Sequence, residues 1–168
     1  GEACGGLWRR KLSGRVCGLV PDEEGLFARA RGGPLACLSD TDGTTRWTLP
    51  AEVSTSPPVS TGGRVVSTGY NRLSAARTFD GAVQWQTDDR FDEAAPVAAG
   101  DTLYAVGEGT VAAFGLGGAN RFPADDAARR RWSVDIRDDP VQGLAVADGA
   151  LFVTAQRNDT TLYCLGET

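Results

Sequence analysis

From about residue 15 onward the chain alternates short apolar runs with polar turns, and the same order of signals returns four times. Each round begins with an apolar stretch: "RVCGLV", "SPPVST", "AAPVAAG" and "VQGLAVA". A Gly-containing turn leads into a second stretch, "GLFARA", "GRVVSTG", "DTLYAVG" and "GALFVTA", and then a third, "LACLSD", "LSAARTFD", "TVAAFGL" and "TTLYCLG". In the first two rounds Gly43 or Gly81 follows, and a tryptophan strand arrives four residues later. Apolar runs this short, divided by Gly, Pro and Asp, predict strands and turns.

The tryptophans set the period. They stand at positions 8, 47, 85 and 132, so they are 39, 38 and 47 residues apart. The longer last interval holds an insertion, "GGANRFPADDAARRR", residues 117–131. A repeat of this length with four strands per round predicts an all-β fold, a β-propeller of four four-stranded antiparallel blades. One blade cannot bury both faces, so neighbours must stack, and each Trp can remove about 150–250 Å² from water as a wedge between them. The expected blades run approximately over 15–49, 57–87, 95–135 and 142–166, within one domain spanning 1–168. Residues 6–12, "GLWRRKL", form an outer strand with no third strand before it, and "TTLYCLG" is a third strand with no outer strand after it. Residues 6–12 are therefore expected to complete the last blade. Trp8, Trp47, Trp85, Trp132, Gly43 and Gly81 are the expected structural positions. The pattern leaves three closures open: a tight four-bladed ring, half of an eight-bladed ring made with a second copy, or part of a longer chain.

The stretch "SDTDGTTRW" offers Asp40 and Asp42 as calcium ligands or as a hairpin turn. It aligns with "FDGAVQW", which keeps Asp-Gly and loses the second carboxylate. Asp-Gly between two apolar strands is a hairpin signal, because Gly tolerates positive φ. An EF-hand loop would also need a closing Glu and flanking helices, and neither is present. The stretch reads as a turn.

Composition narrows the function. The chain is 41% hydrophobic and 23% charged, with no run long enough to cross a membrane as a helix. A net charge of −5 and a pI near 4.7 disfavour nucleic acid. The sequence contains no His, which removes the Ser-His-Asp triad, His-based zinc sets and the commonest general base. It contains no Met, so the chain is expected to be a matured product or an excised segment. Four cysteines, Cys4, Cys17, Cys37 and Cys164, show no C-x-x-C spacing, and either free thiols or a disulfide framework fits them. Cys4 and Cys164 would meet at the seam where the two chain ends join. Cys17 and Cys37 fall on the first and third strands of one blade, with the second between them.

The recurring third strand, Asp/Thr/Gly turn and outer Trp of "LACLSDTDGTTRW" and "LSAARTFDGAVQW", and more loosely "LYCLGET", resemble the pyrroloquinoline-quinone-type (PQQ-like) propeller repeat. The resemblance covers essentially the whole chain. It implies one of two roles. Some members are quinone- and calcium-dependent dehydrogenases, usually with extra loops and a pair of adjacent cysteines that this chain lacks. Others resemble a periplasmic lipoprotein that assists outer-membrane protein assembly, or the sensor domains of bacterial Ser/Thr kinases. The expectation is the second role: an extracytoplasmic binding platform, with no catalytic residue, metal or cofactor, and a protein or small ligand as partner.

The propeller order places the expected contact residues on loops at one end. These are Tyr70, Asn71 and Arg72; Arg90, Phe91, Asp92 and Glu93; Arg137 and Asp138; and Arg157 and Asn158. Phe91 is either an exposed anchor for a partner or tucked between blades. The carboxylates Asp88, Asp89, Asp92 and Glu93 recur as Asp135, Asp138 and Asp139 after Trp132, so both sets read as solvated linkers.

Overall fold

The computed structural model describes residues 8–50, 56–69, 72–88, 90–91, 94–117, 130–136, 140–156 and 159–166. Among them every regular element is a strand. The first sheet is β1 (Val16–Asp22), β2 (Gly25–Ala30), β3 (Leu35–Leu38) and β4 (Thr45–Leu49), hydrogen-bonded in chain order. The second is β5 (Val59–Thr61), β6 (Arg64–Gly69), β7 (Arg72–Arg77) and β8 (Val83–Thr87). The third is β9 (Val97–Ala99), β10 (Thr102–Gly107), β11 (Thr110–Gly115) and β12 (Arg130–Asp135). The last comprises β13 (Val141–Ala147), β14 (Ala150–Gln156) and β15 (Thr160–Gly166). The inner strands follow one another around the axis, β1 beside β5, β5 beside β9 and β9 beside β13.

The strands form because alternate residues can be buried on two sides at once. β6 is buried along its whole length, and β10 along all of it but Tyr104, as a blade between two neighbours requires. One core cluster joins Phe27, Leu35, Cys37 and Leu49 of the first blade to Val65 and Ala76 of the second. Another packs Val66, Leu73 and Trp85 against Leu103, Ala112 and Phe114 of the third. The last joins Val106 and Val111 to Val141, Leu151, Val153 and Ala155 of the fourth. Trp47, Trp85 and Trp132 each sit in one of these seams.

The tryptophans need glycine to fit. A Cβ on Gly81, in the turn between β7 and β8, would lie 2.7 Å from the Trp47 ring, and its φ of +73° is one that side chains rarely adopt. The Trp47 indole donates to Thr78 O at 2.9 Å. So the outer Trp of one blade is seated in the Asp-Gly turn of the next.

Those turns confirm the architectural reading of "SDTDGTTRW". Asp42 Oδ1 accepts from the Thr44 amide at 3.0 Å and the Thr44 hydroxyl at 2.8 Å, and Gly43 N donates to Ser39 O at 2.9 Å. Asp80 Oδ1 accepts from Ala82 N at 2.9 Å, and Gly81 N donates to Arg77 O at 3.0 Å. The Ala82 amide, assisted by the Arg77 guanidinium against some desolvation, holds the Asp80 carboxyl below its usual range. A carboxyl with a lowered folded value adds stability that is complete above the ordinary aspartate range, roughly pH 4, and is lost as pH falls through the folded value. Asp80→Ala is therefore expected to lower the melting temperature at neutral pH, with the gap to wild type closing under acid. Melts of both proteins across that range check it; an unchanged gap would contradict it.

Residues 8–12 carry no strand, and the last sheet has three strands among the described residues. Trp8 Nε1 donates to Asp40 O at 2.7 Å, Arg10 Nη1 donates to Gly43 O at 3.0 Å, and Leu12 packs on Ala28, Ala36 and Leu38. These contacts hold the segment on the first blade. Residues 6 and 7 lie outside the described residues.

The insertion sits between β11 and β12, and its residues 118–129 lie outside the described residues. Its triple Arg is not all loop. Arg130 and Arg131 belong to β12, with the Arg130 guanidinium 5.6 Å from the Phe114 ring and Arg131 paired to Asp101 at 2.6 Å.

Candidate functional site

Antiparallel order divides the turns between two ends. The β1–β2 and β3–β4 hairpins and their equivalents leave by one end. The β2–β3 turn and its equivalents leave by the other, together with the linkers from each outer strand to the next inner strand. The contact residues expected from the sequence that are described belong to this linker end.

Three of them are among the described residues. Arg72 opens β7, is exposed, and faces Gly69 in register. Arg90 and Phe91 lie in the linker between β8 and β9, with Arg90 half-buried. Phe91 takes the tucked alternative: it is 3% exposed, its ring meets Phe114 edge-on at 5.3 Å, and the Arg130 guanidinium lies 6.0 Å away. As a seam residue it is no anchor for a partner. Tyr70, Asn71, Asp92, Glu93, Arg137, Asp138, Arg157 and Asn158 lie outside the described residues.

The linker is pressed onto its blade. A Cβ on Gly107, at the end of β10, would fall 1.7 Å from Arg90 O and 2.7 Å from Phe91 Cα. Only a residue without a side chain lets the linker backbone lie there. Gly107 thus holds Phe91 in the seam and sets where Arg90 stands on the rim, a role that a plain Gly in "YAVGEG" did not reveal.

Polar side chains along the seams mostly serve the scaffold. Buried Arg29 donates from Nη1 to Thr68 O of the second blade at 2.6 Å. Arg64 reaches from the second blade to Gly117 O of the third at 3.0 Å, while its Nε donates to Gln84 Oε1 at 2.8 Å. Ser60 of β5 donates to Asp22 of β1, whose other oxygen accepts from Glu24 N at 3.0 Å. Phe79, which the sequence reading passed over inside its turn, is exposed, with the Arg77 guanidinium 4.7 Å from its ring. An open groove of about 990 Å³ lies between the third and fourth blades, with Trp132, Tyr104 and Leu165 on its walls. It opens at the hairpin end, away from the expected contact loops.

No group of three or more His, Cys, Asp or Glu side chains gathers as a metal site among the described residues. Of Asp88, Asp89, Asp92 and Glu93, only Asp88 is among them, exposed just after β8. Cys37 is buried and its thiol is pushed up chiefly by desolvation, so it packs as a small apolar group. Cys164 is exposed on β15 as a free thiol, and Cys4, the expected neighbour, lies outside the described residues.

The arrangement resembles known proteins. A family model described as "Outer membrane protein assembly factor BamB" matches residues 5–125. No curated protein matches the chain. Among solved structures, BamB from Moraxella catarrhalis is 18% identical, with a TM-score of 0.71, and the match covers 94% of this chain and 49% of that one. The computationally designed Ika4 protein, 10% identical, matches at a TM-score of 0.75 over 98% of this chain and 100% of its own. A quinohemoprotein alcohol dehydrogenase from Pseudomonas putida HK5, 13% identical, matches at 0.65 over 90% of this chain and 30% of its own. The chain therefore spans about half the length of the BamB structure. At these identities the structural likenesses establish the fold.

Proposed function

Because the chain belongs to the family described as outer membrane protein assembly factor BamB, we propose that it is a non-catalytic binding module that holds a protein partner against its linker end. The family match over residues 5–125 carries this reading. Two further observations support it. The 168 residues contain no His, the commonest general base. The linker end also presents loops on a stiff frame, Arg72 and Arg90 among them, which is how binding residues are usually grafted on a scaffold. The protein would work outside the cytoplasm, at the periplasmic or cell-surface side. A small-molecule sensor fits less well, since the 990 Å³ groove opens at the opposite end.

Two measurements test this. A photo-crosslinking residue in place of Arg72 or Arg90 is expected to trap a discrete protein partner in cells, while the same residue at Thr41 on the hairpin end traps none. Equal labelling from both ends would remove the assignment of the surface. Dye-linked alcohol or sugar oxidation on adding pyrroloquinoline quinone and calcium would overturn the non-catalytic reading itself.

A further inference from the structure

The last blade repeats the interface of the first. Aligned on their second and third strands, Phe152, Leu162 and Cys164 occupy the positions of Phe27, Leu35 and Cys37, and the registers Phe152↔Cys164 and Phe27↔Cys37 agree. On the first blade those three are 0% exposed, sealed against the second. On the last, Leu162 is 65% exposed, Cys164 is exposed and Phe152 half-buried. β14 buries alternate residues only, with Leu151, Val153 and Ala155 turned to the third blade. A ready-made blade socket therefore faces outward with nothing seated on it among the described residues.

The matching plug is at the other end of the same arc. On the first blade, Leu26 and Leu38 stand where Val65 and Ala76 of the second blade meet their predecessor. That face is covered by the segment around Leu12, and Leu19 beside it is 57% exposed. Trp8 shows what belongs there. Its ring lies 2.6 Å from a Cβ built on Gly43, and its indole donates to Asp40 O. Trp47 treats Gly81 and Thr78 in the same way, at the same offset along the turn. Trp8 is thus already seated as the outer tryptophan of a preceding blade, and among the described residues it has no sheet behind it and β15 has no outer strand on it.

Among the described residues the two form no shared sheet. Residues 8–12 join no ladder, and no approach comparable to β1 with β5 brings β13 to β1 among the described residues. Superposition of 94% of the chain on 49% of a chain about twice as long is what an arc of a larger ring would give. The charges of the loose parts are opposite. Residues 8–15 carry Arg9, Arg10, Lys11 and Arg15 and no acid, whereas residues 140–168 carry Asp148, Asp159 and Glu167 against Arg157.

We propose that a second copy of this chain completes the ring. The outward face of each last blade takes the first blade of the other copy, whose Trp8 segment adds along β15 as the fourth strand. The two seams are identical by two-fold symmetry, so the assembly closes. The β3–β4 register, Cys37↔Trp47 and Leu35↔Leu49, carries over to Cys164 opposite Trp8 and Leu162 opposite Arg10 of the other copy.

Light scattering of the 168-residue chain at tens of micromolar is expected to give twice the 17.6 kDa of one chain; the mass of one chain would overturn the proposal. Leu162→Asp is expected to halve the mass. The register is tested by combining Arg10→Cys and Leu162→Cys in a chain with Cys4→Ser and Cys164→Ser. Oxidation is expected to give a covalent dimer on a non-reducing gel. A link within one chain would show that the four blades close alone. A dimeric protein that forms no link would refute this seam.

Discussion

Replacing Gly107 by alanine is expected to cost at least about 3 kcal/mol, the upper part of the usual range for overpacking. The new methyl would collide with Arg90 O at 1.7 Å, and backbone cannot swing aside as a side-chain tip can. Either the linker lifts off β10 or the end of β10 tears from β11. In both cases Phe91 leaves its place against Phe114, and the seam between the second and third blades loosens. Urea melts should show a lower midpoint. Gly166→Ala is the control, since a Cβ there meets nothing within 4 Å and the midpoint should hold. A Gly107→Ala midpoint equal to that of wild type would mean that the linker does not lie where it is described. The same variant should blunt crosslinking from Arg90 more than from Arg72, because only Arg90 is carried by that linker.

Truncating Trp85 to alanine is the other large effect, expected at about 3–5 kcal/mol. Trp85 is 5% exposed and stacks on Phe114 with centroids 6.2 Å apart, so its removal opens a void that Phe91 and Leu103 can only partly fill. Trp8→Ala should cost clearly less in a single chain, since Trp8 is half-buried at an open edge. The ordering is the informative part, and denaturant titration of both variants measures it. Equal losses would mean that the seams do not differ in burial.

The strands and their order were legible because each round pairs short apolar runs with a Gly or Asp-Gly turn, two signals that agree. "SDTDG" and "TFDG" could be read as turns for the same reason, and the structure seats Trp8 and Trp47 on them. Residue-level placement was less legible. Phe91 stands among Arg90, Asp92 and Glu93, where local polarity suggests exposure, but its environment is set by Phe114 and Arg130, far along the chain. Arg130 and Arg131 looked like loop charges because three arginines in a row mask strand alternation. Gly107 could not be singled out from 22 glycines, because a close backbone approach leaves no trace in the local pattern. A further signal in the sequence is the shared "LF" and "L-x-C-L" of the first and last blades, which the two sheets carry at matching register positions.

The tryptophan-in-glycine joint has a consequence for how such a wheel can be put together. Each joint fixes the tilt of one sheet on the next by contacts between two adjacent rounds alone, so the bend of the arc is stored locally and does not wait for the circle to be complete. An incomplete wheel is then already curved to the right radius. What remains to be joined is two stiff bodies of matched curvature, and little ordering is left to be done when they meet.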